Sequence, residues 1–152
     1  MSSLLGPDLM APGPQTLSDL VPAMGRVLTG QRSAGLGLPE ARRYVFLLVD
    51  GMGRENLERS RHLAPTLSDM QVCHDLTCQV PSTTATSLSC IGTGAVPGRH
   101  GVAGYTFRAP SGQAMNALSW ANGDDPEVVQ PHPTAFEDLV AAGGTVSSVG
   151  PA

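Results

Sequence analysis

The run Tyr44-Val45-Phe46-Leu47-Leu48-Val49, ending on Asp50-Gly51-Met52-Gly53, constrains this chain more than any other stretch. An apolar residue at every position leaves no polar face for water, so the run reads as a strand buried on both sides. Such strands belong to parallel sheets whose faces are covered by helices. The Asp-Gly pair at its end predicts a turn into the next element. A second junction of the same kind lies further along. Val72 to Val80 reads as a strand, and Pro81-Ser82-Thr83-Thr84-Ala85-Thr86-Ser87 leads into a helix from Ser82 to Thr93, closed by Gly94.

The remaining segments alternate in the same way. Leu17, Leu20, Val21, Met24 and Leu28 follow helical spacing, and Pro22 predicts a kink or a restart within that helix. Residues 1–15, rich in Pro, Gly and Ser, are expected to lie loosely on the surface, and residues 30–40 form a Gly-rich linker. Helical pieces are expected over Arg54–Ser60 and Thr66–Met70. Val102–Arg108 and Gln113–Trp120 suggest a hairpin around Pro110-Ser111-Gly112. Thr134-Ala135-Phe136-Glu137 matches a capping box whose helix ends at Gly143-Gly144, and Thr145–Val149 begins another strand. This β-α-β-α order predicts an α/β fold with a mainly parallel sheet flanked by helices. A buried-looking strand that runs straight into Gly150-Pro151-Ala152 predicts an incomplete domain.

Bulk properties exclude several classes. A chain of 152 residues suits one domain with a real core. The net charge of -4, with every basic residue an arginine, removes the electrostatic case for binding a nucleic-acid polymer. Cys73, Cys78 and Cys90 form neither a disulfide framework nor a zinc knuckle, and are expected as small buried residues in a reducing compartment. The N-terminus lacks the cationic start and apolar core of a signal peptide, and no apolar run approaches the length of a membrane span. The expectation is a soluble cytoplasmic protein.

The chemistry gathers at the two junctions. In open parallel sheets, ligand sites lie beyond the carboxyl ends of the strands, where Asp50 and the Ser82–Thr84 group are expected. At a helix start, free backbone N–H groups and the helix dipole favour a phosphate. Thr84 and Ser87, three residues apart, share a face of that first turn. A threonine hydroxyl is a weak nucleophile and needs an activator, which a divalent metal held partly by Asp50 would supply. Each motif also has a purely structural reading, since Ser and Thr commonly cap helices and Asp-Gly commonly makes turns. Asp50-Gly51-Met52-Gly53 lacks the third glycine of a dinucleotide-binding turn. His100 in Pro97-Gly98-Arg99-His100-Gly101 reads as structural, and His62, His74 and His132 as isolated packing or surface residues.

Taken together, the apolar strand ending in Asp50-Gly51, Pro81-Ser82-Thr83-Thr84 at a helix start, Thr93-Gly94, and Pro97-Gly98-Arg99-His100-Gly101 resemble the type I phosphodiesterases/nucleotide pyrophosphatases of the alkaline phosphatase superfamily. The resemblance is strong over residues 44–108 and looser to Ala152. It implies an N-terminal segment over residues 1–40 and, over 41–152, the N-terminal portion of an alkaline-phosphatase-like catalytic domain. By the same resemblance Thr84 is the catalytic nucleophile and touches a metal, Asp50 is a metal ligand, and Ser87 binds substrate where the family often has asparagine. Thr83 is the rival nucleophile and Ser82 a cap.

The implied activity is hydrolysis of a phosphodiester or pyrophosphate bond in a small nucleotide or phosphodiester substrate, with two divalent metal ions, zinc by expectation. Two such ions need roughly three protein ligands each. The family's later Asp-x-x-x-His and Asp-His patterns do not occur in this sequence. The expectation is therefore a fragment or truncation of a longer enzyme. The alternatives are a non-catalytic remnant and a phosphomutase or phosphatase relative. A sulfatase is disfavoured, because no Cys or Ser followed by Pro-x-Arg stands at the helix start.

Overall fold

Capping chemistry decides where the helices of this chain begin and stop. The computed structural model describes residues 14–32, 35–72, 75–120 and 124–150. A 3-10 turn, Leu17–Asp19, opens the first helical segment, with the Thr16 N–H donating to Asp19 Oδ2 at 2.8 Å. It leads into α1, Leu20–Leu28. Pro22 falls in the first turn of α1, where an N–H has no helical acceptor, so the helix restarts at Leu20 instead of kinking. Two short exposed helices follow, α2 (Arg54–Arg59) and α3 (Pro65–Ser68), separated by a 3-10 turn at Arg61–Leu63.

The central element is α4, Thr84–Thr93, which meets the first 3-10 turn, α1, the next helix α5 (Pro97–His100) and a later helix, α7 (Ala135–Ala141). Gly94 ends α4 in the left-handed conformation at φ 65°, a geometry that glycine adopts without a Cβ clash. A Cβ there would also come within 2.5 Å of Pro22 Cγ, so the glycine lets α1 approach the end of α4. The hairpin forms as β1 (Thr106–Arg108) and β2 (Ala114–Asn116), antiparallel, with Phe107 opposite Met115. A short helix, α6 (Pro126–Val129), precedes α7. The capping box of α7 forms as the sequence predicts. Glu137 N–H donates to Thr134 Oγ1 at 3.1 Å, and Thr134 N–H donates to Glu137 Oε2 at 2.6 Å.

Two small apolar clusters share Phe107. One joins Ala85, Val102 and Ala117, and so ties the start of α4 to the hairpin. The other joins Ala109, Met115 and Val129, with Trp120 against it. The first of these clusters seats the first turn of α4, through Ala85, against the hairpin.

The sheet differs from the sequence expectation. Tyr44–Val49 forms no strand, and Val45 and Leu47 are 95% and 69% exposed. Within Val72–Val80, Cys73 and His74 lie outside the described residues, and the others pair only through a parallel bridge between Thr16 and Thr77. Thr145–Val149 is likewise without a ladder. The one sheet among the described residues is the antiparallel β1–β2 pair, in place of a mainly parallel one. A strand is stable only when neighbouring strands take up its backbone N–H and C=O groups. Apolar patterning identifies a segment suited to a sheet but supplies no partner. The loose surface expected of residues 1–15 lies, up to residue 13, outside the described residues.

Candidate functional site

The site begins with the turn at Asp50-Gly51. Gly51 adopts φ 70°, and its N–H donates to Asp50 Oδ1 at 2.8 Å. Asn56, in α2, donates from Nδ2 to the Gly51 carbonyl at 3.4 Å and braces the turn from the following helix. Arg54 in the first turn of α2 pairs with both Glu58 and Asp75, linking that helix to the segment that leads toward Pro81. These contacts orient the Asp50 carboxylate and leave its other oxygen free to reach outward.

That oxygen meets α4. Thr84, the first residue of the helix, donates its hydroxyl to Asp50 Oδ2 at 3.0 Å, across 34 residues of sequence. Thr83 behaves differently. It is the N-cap of α4, its Oγ1 accepting from the Thr86 N–H at 3.4 Å and donating to Thr86 Oγ1 at 3.0 Å. The cap role expected of Ser82 thus falls one residue later. The shift follows from Thr83 being the last extended residue, at ψ 153°, before the helical dihedrals begin.

With the Thr86 N–H held by Thr83 Oγ1 and the Ser87 N–H by the Thr83 carbonyl, the Thr84 and Ala85 N–H groups remain at the mouth of the helix. Ser87 lies one turn beyond Thr84, half-buried, and its hydroxyl has no protein partner among the described residues. The structure therefore brings Asp50, Thr84 and Ser87 to one end of α4.

The other titratable candidates are placed elsewhere. His100 is 1% exposed. Its Nδ1 accepts the Val102 N–H at 3.1 Å, which puts the ring proton on Nε2, 3.3 Å from Cys90 Sγ. Burial and the nearby His132 lower the His100 pKa, and burial pushes the Cys90 thiol up to about 11. The pair is a neutral structural contact between α4 and α5, in line with the sequence reading of His100. Cys78 is exposed, contrary to the expectation that it is buried, because the strand meant to enclose it is absent. His62 is exposed in its 3-10 turn, and His132 Nε2 lies 2.7 Å from the Arg99 carbonyl.

A metal at this site would find one carboxylate and one hydroxyl. Both are hard oxygen donors of the kind a divalent cation accepts, but a closed site needs about three or four protein ligands. No group of three or more His, Cys, Asp or Glu side chains suited to a metal occurs among the described residues.

Sequence reasoning missed Asn56 and the Arg54–Asp75 pair, whose roles depend on contacts 5 and 21 residues away. The Thr83 cap had a signal in the Thr83-x-x-Thr86 spacing, but Ser82 offered the same chemistry one position earlier. A comparison with curated proteins and one with solved structures matched nothing. The family model for type I phosphodiesterase / nucleotide pyrophosphatase matches residues 44–150, which contain the Asp50 turn and all of α4. This chain belongs to the type I phosphodiesterase/nucleotide pyrophosphatase family, a family of phosphodiester- and pyrophosphate-hydrolysing enzymes.

Proposed function

We propose that Thr84 is the nucleophile of a metal-dependent phosphodiester or pyrophosphate hydrolase acting on a small nucleotide-like substrate. The observation that carries this reading is the 3.0 Å hydrogen bond from the Thr84 hydroxyl to Asp50 Oδ2. The carboxylate holds the proton that must leave as Oγ attacks phosphorus. Attack forms the Oγ–P bond of a phosphothreonine and breaks the bond from phosphorus to the leaving oxygen; water then frees Thr84. The Thr84 and Ala85 N–H groups and the Ser87 hydroxyl face the phosphoryl oxygens and stabilise the charge that develops there. Asp50 and Thr84 would also hold a divalent cation, zinc on the family's chemistry, which would lower the hydroxyl pKa.

The same reading assigns residues 41–152 to the N-terminal portion of an alkaline-phosphatase-like catalytic domain, preceded by a helix and a Gly/Pro-rich linker over residues 1–40, in a cytoplasmic protein. No described helix is long and apolar enough to cross a membrane. A second reading is a non-catalytic remnant, which the two-donor set at Asp50 and Thr84 favours.

Hydrolysis of a p-nitrophenyl phosphodiester with added zinc separates the two. Under the catalytic reading Thr84→Ala abolishes turnover while Thr83→Ala retains it, because Thr83 is engaged as the helix cap. Loss in Thr83→Ala with retention in Thr84→Ala would sink the nucleophile assignment. Zinc-independent background in every variant would favour the remnant. Transfer of phosphate between sugar positions would instead identify a phosphomutase relative.

A further inference from the structure

Burial does not hold the turn that carries Asp50. Residues 50–56 are all exposed, and α2 has no buried residue. Where few apolar contacts fix a segment, its polar ties decide where it sits. Those ties run through α2. The Asn56 side chain holds the Gly51 carbonyl at 3.4 Å, and the Asn56 and Leu57 N–H groups both donate to the Gly53 carbonyl at 3.1 Å, so turn and helix form one unit. Arg54 carries the tie outward. Its Nε lies 3.6 Å from Glu58 Oε1 within the helix, and its Nη1 donates to Asp75 Oδ1. Asp75 begins a segment with a fixed footing. The Thr77 N–H donates to the Gln15 carbonyl and the Leu17 N–H to the Thr77 carbonyl, both at 3.1 Å, and the 3-10 turn at Leu17–Asp19 packs on α4. The same segment runs through Pro81 into Thr84.

We propose that Arg54 is a positioning residue for the Asp50–Thr84 contact. Its pairing with Asp75 fastens α2, and with it the Asp50 turn, to the segment that ends in Thr84. Asp50 Oδ2 is thereby kept within hydrogen-bond reach of the Thr84 hydroxyl, and both ends of that 3.0 Å contact share one anchor. A guanidinium suits the role because its planar array of donors engages two carboxylates at once, Glu58 aiming the group and Asp75 receiving it. Arg54 and Asp75 are 57% and 67% exposed, so the pair is screened by salt and shifts the seated population of the turn only severalfold. The kinetic consequence rests on the reaction proposed for Thr84; the positioning of the contact does not.

Two readouts on the full chain keep these apart. One is the nuclear Overhauser effect between the Thr84 γ-methyl and the Asp50 β protons. The other is kcat for a p-nitrophenyl phosphodiester with added zinc. Arg54→Gln should weaken the first and lower the second about three- to fivefold, with KM little changed. Asp75→Asn should do the same, and the double variant should be no worse than either alone. Arg54→Lys, which keeps the charge, should restore most of both. In an Asp50→Asn background, Arg54→Gln should cost no further kcat. Arg59→Gln removes the Arg59–Glu55 pair, which lies within α2, and should leave both readouts unchanged. An undiminished Overhauser effect in Arg54→Gln, or an equal loss in Arg59→Gln, would overturn the proposal. A weakened effect with kcat unchanged keeps the positioning role and removes the reaction proposed for Thr84.

Discussion

Asp50 and Thr84 meet through a single hydrogen bond, and the residue-scale predictions start there. Asp50→Asn keeps the side-chain shape but replaces an anionic acceptor with an amide. Turnover is expected to fall by about 10²–10⁴, with KM little changed. Undiminished kcat in this variant would remove Asp50 from the mechanism. His100 makes a prediction of opposite character, on stability. Its pKa is lowered on folding from 6.5, and its Nδ1 is already used as an acceptor of the Val102 N–H. The folded chain thus binds fewer protons at this ring than the unfolded chain. The stabilising contribution is complete above 6.5 and is lost as the pH falls below that value. The urea midpoint should drop on acidification through this range, and the His100→Gln variant should show a flatter profile. The charged and titratable neighbours are Cys90, held as the thiol, and His132. The motif singled out Thr84, and the structure puts its hydroxyl on Asp50. That Thr83 is consumed as a cap was not legible, because Ser82, Thr83 and Thr84 carry the same chemistry and only the backbone conformation separates them.

At the scale of elements, two glycines of α4 respond to alanine in opposite directions. Gly94 has φ 65°, and a Cβ there meets Pro22 Cγ at 2.5 Å, so Gly94→Ala should destabilise the chain by about 1–3 kcal/mol. Gly92 lies inside the helix with nothing within 4 Å of a new Cβ, so Gly92→Ala should stabilise by about 0.5–1 kcal/mol. Denaturant midpoints of the two variants measure both effects, and shifts of the same sign would contradict this account of α4. The helices were the most legible elements, since α4 closes at Gly94 and α7 opens at Thr134 as their capping residues predict. Both signals are local, with donor and acceptor within one turn of each other. The hairpin was legible for the same reason, and Ala109 accepts the Gly112 N–H at 2.8 Å to close its turn.

For the molecule as a whole, the apolar run Tyr44–Val49 lies on the surface, with Val45 95% and Leu47 69% exposed and no strand beside them among the described residues. An unpaired apolar segment with free backbone groups invites association with other chains. Leu47→Lys should therefore lower concentration-dependent association in light scattering while leaving the helical circular dichroism unchanged. Equal association in both proteins would show that another surface is responsible. The sequence by itself determined what local chemistry determines: the helix ends, the hairpin turn, the apolar run at Tyr44–Val49 and the family motif around Asp50 and Thr84. Those signals lie within a few residues of what they control. Tertiary structure alone decided which hydroxyl faces Asp50, since that contact spans 34 residues and depends on how the start of α4 is seated against the hairpin. It also decided that the apolar run forms no strand among the described residues, because pairing needs a neighbouring backbone as well as a suitable sequence.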